Sequence, residues 1–310
     1  MAEQLEGASD STRDEYRDDR DESTDSRGRR GEPASRRSTL VSAPKETAVQ
    51  RVGDSYGFKG APGTLAGFEA EVGGTAGAVS SAPAGIHYSR TRQVELCDKA
   101  LMENKVIAGC KNDPRVEAYR QLRSQVLGAM RRNGWRTLAV TSARERAGKT
   151  LTCVNLAICM SQEMNQTVLL VDLDLRKPDV ARTLGLQVDK GIIDHLLHAE
   201  PIEKIMINPG HSRLVIIPGT RQDHFVSEVL TSPEMKVFLA DITARYEDRI
   251  IIFDLPPLLR NDDAMVFVPK ADACLFVVED GVSRPDDMEY CFQLLRHSNV
   301  IGTVLNKSRE

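Results

Sequence analysis

A few short stretches of this chain place cationic, hydroxyl and acidic residues where phosphate chemistry needs them. The first is Gly148-Lys149-Thr150, directly after the apolar run Leu138-Ala139-Val140 and before the helix-prone TCVNLAICM. In a strand–loop–helix of this kind, backbone N–H groups converge on a polyphosphate, a lysine reaches the β- and γ-phosphates and a Thr hydroxyl holds Mg²⁺. The second is Asp172 and Asp174 at the end of QTVLLVDLDLRKP. Carboxylates at i and i+2 on a strand end point to one side, at the edge where open α/β sheets bind ligands. Facing a triphosphate, such a pair can hold Mg²⁺ and accept a proton. The third is Asp254, closing the apolar run of DRIIIFDLPP in the form of a Walker B strand. For Asp254 alone, capping of the following turn is an equal reading.

The phosphate loop departs from the usual GxxxxGKS/T. Its first position is Ala143, and Arg144, Glu145, Arg146 and Ala147 follow with no glycine among them. Glycine is favoured there because some positions want positive φ, and replacing it costs on the order of 1 kcal/mol. By itself the loop is either a phosphate cradle or an ordinary basic strand-to-helix turn. The elements around it favour the cradle. SRLVIIPGT, ADACLFVVED and NVIGTVLNKS are further strands; DVARTLGL and GIIDHLLHAEPIEKIMI are short helices; SEVLTSPEMKVFLADITARY contains one long amphipathic helix, and RPDDMEYCFQLLRHS another helix. Roughly six strands alternating with helices predict a doubly wound, mainly parallel α/β domain of the P-loop class.

The net charge of −4 gives no basic field for nucleic acid or an anionic membrane, so no nucleic-acid partner is expected. The six cysteines lack CxxC or other metal-ligand spacing. Cys153, Cys159, Cys274 and Cys291 stand in apolar patterns and are expected in the core. No run approaches the ~20 apolar residues of a membrane helix, and the first ten residues are not a signal peptide, so a cytoplasmic chain is expected.

Residues 1–86 alternate charges with Ser, Thr and Gly and then become Gly/Ala-rich, which predicts a disordered tail acting as a spacer. Residues 87–134 are expected to form an ordered arm on a neighbouring surface and a helix. Asp113-Pro114 opens the helix; Val116, Tyr119, Leu122, Val126, Leu127 and Met130 make its apolar stripe; Asn133-Gly134 ends it. Glu117, Arg120 and Arg123 share its polar ridge, which by spacing alone is a solvated, self-paired face. Residues 135–310 form the P-loop domain.

Together GKT, DLDLR and IIIFDLPP resemble the bacterial tyrosine kinases of polysaccharide-export loci, P-loop proteins related to the partitioning and division-site ATPases. EAYRQLR matches that family's ExxRxxR motif, Ser227-Glu228-Val229-Leu230 is similar to its SELL segment, and VLNK to its last strand. NGWRTLAVTS and TVLLVDLDLRKP resemble the exosortase-associated exopolysaccharide branch most. The resemblance implies an ATP- and Mg²⁺-dependent protein-tyrosine autokinase that controls polysaccharide polymerisation or export. It implies that Gly148, Lys149, Thr150 and Leu151 bind the nucleotide, with Asn306 near the adenine. Asp172 would be the base, Lys149 and Asp174 would take part in catalysis, and Thr150, Asp174 and Asp254 would hold Mg²⁺. Glu117, Arg120 and Arg123 would join subunits of a ring, overturning the solvated-face reading. Implied partners are further copies of the chain, protein tyrosines, and a membrane chain-length-determinant or polysaccharide co-polymerase protein that recruits the kinase to the inner face of the membrane.

Two departures from the family leave a second class open, a non-phosphorylating nucleotide switch or scaffold. Relatives commonly read PGPGEGKT where this chain has ARERAGKT, so arginines either supply charge for lost loop geometry or leave a poor nucleotide site. Arg144 falls where the partitioning ATPases carry a signature lysine that meets a partner's phosphate. The tyrosine cluster common at the family's C-terminus is missing; the tyrosines are Tyr16, Tyr56, Tyr88, Tyr119, Tyr246 and Tyr290.

Overall fold

The computed structural model describes residues 91–110, 113–245 and 248–308. The tail 1–86, with Tyr16 and Tyr56, lies outside the described residues, as do Tyr88 and Tyr246. The chain runs β1 (Arg92–Gln93), α1 (Asp98–Glu103), α2 (Val116–Asn133), β2 (Thr137–Ser142), α3 (Lys149–Ser161), β3 (Thr167–Asp172) and α4 (Val180–Thr183). It continues through α5 (Ile192–His198), α6 (Ile202–Ile205), β4 (Ile207–Asn208), β5 (Leu214–Ile217), α7 (Val226–Thr231) and α8 (Pro233–Ala244). It ends with β6 (Arg249–Asp254), α9 (Asp263–Phe267), β7 (Ala273–Glu279), α10 (Pro285–Leu294) and β8 (Val300–Asn306).

The strands form one sheet in the order β1-β4-β5-β3-β6-β2-β7-β8. Every pairing is parallel except β4 with β5. Central strands of such a sheet are covered on both faces, so successive side chains enter two different cores. Leu138, Val140, Val168, Leu170, Ile250 and Ile252 pack toward α2, α3 and α4. Ala139, Leu169, Val171, Ile251 and Phe253 pack among residues of α5 to α10. The predicted doubly wound, mainly parallel domain is therefore present, and Cys153, Cys159, Cys274 and Cys291 are buried in it.

Local structure corrects the sequence reading in three places. The sheet has two strands more than expected because β1 and β4 are two residues each, too short to leave a period-two pattern. The long helix expected within SEVLTSPEMKVFLADITARY is α8, and a short helix absent from the sequence reading, α7, precedes it; Pro233 cannot continue that helix, and Ser232 caps the new one by accepting from Met235 N at 3.1 Å. Helix α2 starts at Val116 rather than at Pro114, with the Asp113 carboxylate accepting from Arg115 N in the turn before it; Gly134, at φ +66°, ends it as read.

The arm lies on its own domain. β1 extends the sheet through β4, and Val94 N donates to Asn208 O. The fully buried Asn155 of α3 fixes the next stretch, accepting from Ile107 N and Ala108 N at 2.8 and 2.9 Å and donating to Lys105 O. Asn104 then reaches the carbonyls of Arg182 and Thr183 at the end of α4. These bonds bring the arm to the rim of the site described next.

Candidate nucleotide site

Residues 143–148 connect β2 to α3 at the carboxyl edge of the sheet. Leu258 N and Leu259 N donate to Ser142 O and Ala143 O, tying the loop's start to the segment after β6. Two loop residues are left-handed, Arg146 at φ +63° and Gly148 at φ +93°. For a residue with a Cβ this conformation costs about 1–2 kcal/mol, so the arginine occupies a glycine-type position. Side chains from the end of β8 hold the loop there: Lys307 Nζ donates to Arg146 O at 2.7 Å and Asn306 Nδ2 to Ala147 O at 2.9 Å. A Cβ at Gly148 would sit 2.0 Å from Asn306 Nδ2, so that glycine is required for close approach as well as for φ.

Beside the loop lies a cavity of about 440 Å³ whose lining includes Arg146, Lys149, Thr150, Asp174 and Arg260. Gly148 and Leu151 line both this cavity and a second one, of about 740 Å³, bounded by Tyr119, Leu122, Val304 and Asn306. The first is lined mainly by charged side chains, and the second sets Leu122, Leu151 and Val304 beside polar residues, which suits a polyphosphate and an aromatic base respectively.

Strand register brings the carboxylates together. Asp172 of β3 is the direct partner of Asp254 on β6, and β6 is flanked by β3 and by β2, which carries the loop. Thr150 Oγ1 donates to Asp254 Oδ2 at 2.6 Å, and the Cys153 thiol lies 3.5 Å from Oδ1. Asp254 is thus turned toward the loop helix rather than capping its own turn. Burial, opposed by the Lys149 ammonium and the Thr150 bond, pushes its carboxyl up to about 6. Burial and the neighbouring Asp254 also raise Asp172 well above the usual carboxylate range.

The two carboxylates of the DLD segment do not share a side, because the chain leaves β3 after Asp172. Asp172 is buried and outside the cavity lining; its oxygens accept from the backbone N–H groups of Asp179, Val180 and Asp174. Asp174 lines the cavity, and its buried Oδ1 has no hydrogen-bond partner among the described residues. An unpaired buried carboxylate oxygen beside a Thr hydroxyl and a lysine fits a divalent cation carried by a nucleotide. Lys149, nearly buried, acts on both Asp174 and Asp254 electrostatically without forming an ion pair with either.

Sequence reasoning missed what holds this arrangement. Arg176, two residues past Asp174, makes a two-pronged pair with the fully buried Asp263 of α9, at 2.7 and 3.2 Å. Nothing in the local pattern couples residues this far apart; the one sequence cue is an arginine directly after an acidic strand end. Arg144 is likewise clamped to Asp287 of α10, at 2.6 and 3.0 Å, in its own chain. On α2, Glu117 and Arg120 pair with each other at 3.3 Å on an exposed ridge. Arg123 is drawn to its own α3, bonding Cys159 O at 3.3 Å and Glu163 at 3.1 Å.

The mainly parallel doubly wound sheet and the glycine–lysine–threonine loop define a P-loop protein. A family model described as AAA domain matches residues 135–280. The tyrosine-protein kinase YwqD of Bacillus subtilis is 28% identical over 192 residues, covering 61% of this chain and 80% of the relative. The succinoglycan biosynthesis transport protein ExoP of Rhizobium meliloti is 30% identical over 179 residues, which is 56% of this chain but 22% of ExoP. The chain therefore spans under a third of its longer relatives. The kinase domain of the Escherichia coli tyrosine kinase Etk superposes with a TM-score of 0.62 at 23% identity, over 71% of this chain and 89% of that domain. In its P-loop region the chain is a relative of the bacterial tyrosine kinases. Among the described residues no helix is long and apolar enough to cross a membrane.

Proposed function

We propose that the chain is an ATP-dependent protein-tyrosine autokinase acting in exopolysaccharide polymerisation or export, of the exosortase-associated branch. The observation that carries this reading is the convergence of Lys149, Thr150 and the unpaired Asp174 oxygen on one cavity below the loop. Kinship with YwqD and ExoP supplies the class of reaction and the setting. In this reading Lys149 and the loop N–H groups bind the β- and γ-phosphates, and Gly148, Leu151 and Asn306 border the path to the base cavity. Thr150 and Asp174 hold Mg²⁺ with Asp254 behind Thr150. A Mg²⁺ ion held by them would supply positive charge to the phosphate oxygens. Asp172, at the same strand end as Asp174, is assigned the role of base toward a tyrosine hydroxyl, reached when the Asp174–Val180 segment moves off its oxygens. A cytoplasmic ring of copies, joined through the exposed Glu117–Arg120 ridge and recruited by a membrane co-polymerase partner, completes the proposal.

The switch reading has in its favour the absence of glycine at Arg146 and of a tyrosine cluster after β8. Mass spectrometry of the full chain after incubation with Mg·ATP separates the two. The kinase reading requires phosphotyrosine in the parent and its loss in Asp172→Asn. ATP binding without any phosphotyrosine makes the protein a switch.

A further inference from the structure

Arg146 combines a left-handed backbone with a side chain that has no ion pair among the described residues. Its φ of +63° is one that L residues avoid, and the bond from Lys307 to its carbonyl holds it there. Strain kept by surrounding bonds is a mark of function when the strained residue faces a cavity. Arg146 lines the phosphate cavity together with Lys149, Lys177, Arg182 and Arg260. Three of these cations already have carboxylate partners, two of them sharing one. Arg260 and Lys177 pair with Glu145, and Arg182 pairs with Asp179. Among the described residues, Arg146 and Lys149 are the cations lining this cavity that have no ion pair. Two unpaired cations on a loop with helix N–H groups behind it form a field suited to a polyanion.

We propose that Arg146 is a phosphate-binding residue, which supplies with a guanidinium what glycine-rich loops supply with backbone alone. This rests on the nucleotide-site reading above. The left-handed backbone is the same one a glycine would adopt, so the loop path is kept and a planar, permanently charged donor is added to it. The other loop arginine, Arg144, is not equivalent, because Asp287 holds the Nε–Nη2 edge of its guanidinium in a two-pronged pair.

The test is calorimetric titration of the full chain with the magnesium complex of a non-hydrolysable ATP analogue. Parent, Arg146→Gly, Arg146→Gln and Lys149→Met are compared, with a melting curve of each nucleotide-free protein. Losing a charge-assisted phosphate contact weakens binding about tenfold or more. Both Arg146 variants are expected to show that loss, while Arg146→Gly melts no lower than the parent because the strain is gone. Parent-like affinity in Arg146→Gly overturns the proposal. So does parent-like affinity in Arg146→Gln with loss in Arg146→Gly alone, since that traces the effect to backbone freedom. Parent-like affinity in Lys149→Met overturns the underlying site reading and takes this proposal with it. If only the Lys149 variant loses binding, the site stands and Arg146 is a spectator.

Discussion

Neutralising Asp254 should stabilise the protein in the absence of nucleotide and metal. Asp254 and Asp172 face each other in strand register, both buried, with the Lys149 charge acting on Asp254 only at a distance. Both carboxyls titrate above their unfolded value, and for Asp254 the folded state holds more protons than the unfolded one between about pH 4 and 6. Stability therefore falls as pH rises through that window and stays low above it. For Asp254 the change from 3.8 to about 6 corresponds to about 3 kcal/mol. Asn at this position keeps an acceptor for the Thr150 hydroxyl and removes the charge. Asp254→Asn is expected to melt about 5–10 °C above the parent at pH 8 in EDTA, and close to it at pH 4. The same variant should bind Mg·ATP more weakly than the parent, because the carboxylate exists for the cation. A variant that melts at or below the parent at pH 8 would refute the idea that this pair is a stability cost retained for ligand binding.

Asp263→Asn should cost about 3 kcal/mol in urea unfolding, because it strips a two-pronged partner from Arg176, and it should weaken Mg·ATP binding through the segment carrying Asp174. Glu117→Lys should lower the mass seen by light scattering with little change in melting, whereas Arg123→Glu should lower the melting temperature itself, since Arg123 serves its own α3. Phosphopeptide mapping should leave Tyr119 unlabelled: burial pushes its phenol up to about 12, and it packs on the core side of α2. Labelling is expected at Tyr16, Tyr56 or Tyr88 instead, and a chain starting at Thr91 should bind ATP without labelling.

What could be read from the sequence was whatever is local and periodic. Buried parallel strands such as β2, β3 and β6 are continuous apolar runs, and their acidic ends fall at one sheet edge by the geometry of the fold. What could not be read depended on a partner far along the chain. The spacing of Glu117, Arg120 and Arg123 defines a ridge but not what it faces, and the ridge divides, with Arg123 turned inward. Asp172 and Asp174 were expected to act side by side. The strand ends between them, so one is wrapped in backbone N–H groups and the other meets the cavity. Asn306 was expected near the base; it borders that cavity and also braces the loop against Gly148, a contact visible only once β8 lies beside it.

The central claim is that a loop almost without glycine is a working nucleotide site. It is tested most directly by autophosphorylation of the full chain with Mg·ATP labelled on its γ-phosphate, for the parent and Lys149→Met side by side. Transfer of label to tyrosine in the parent and none in the variant is the predicted result. Equal labelling of the two proteins would contradict it.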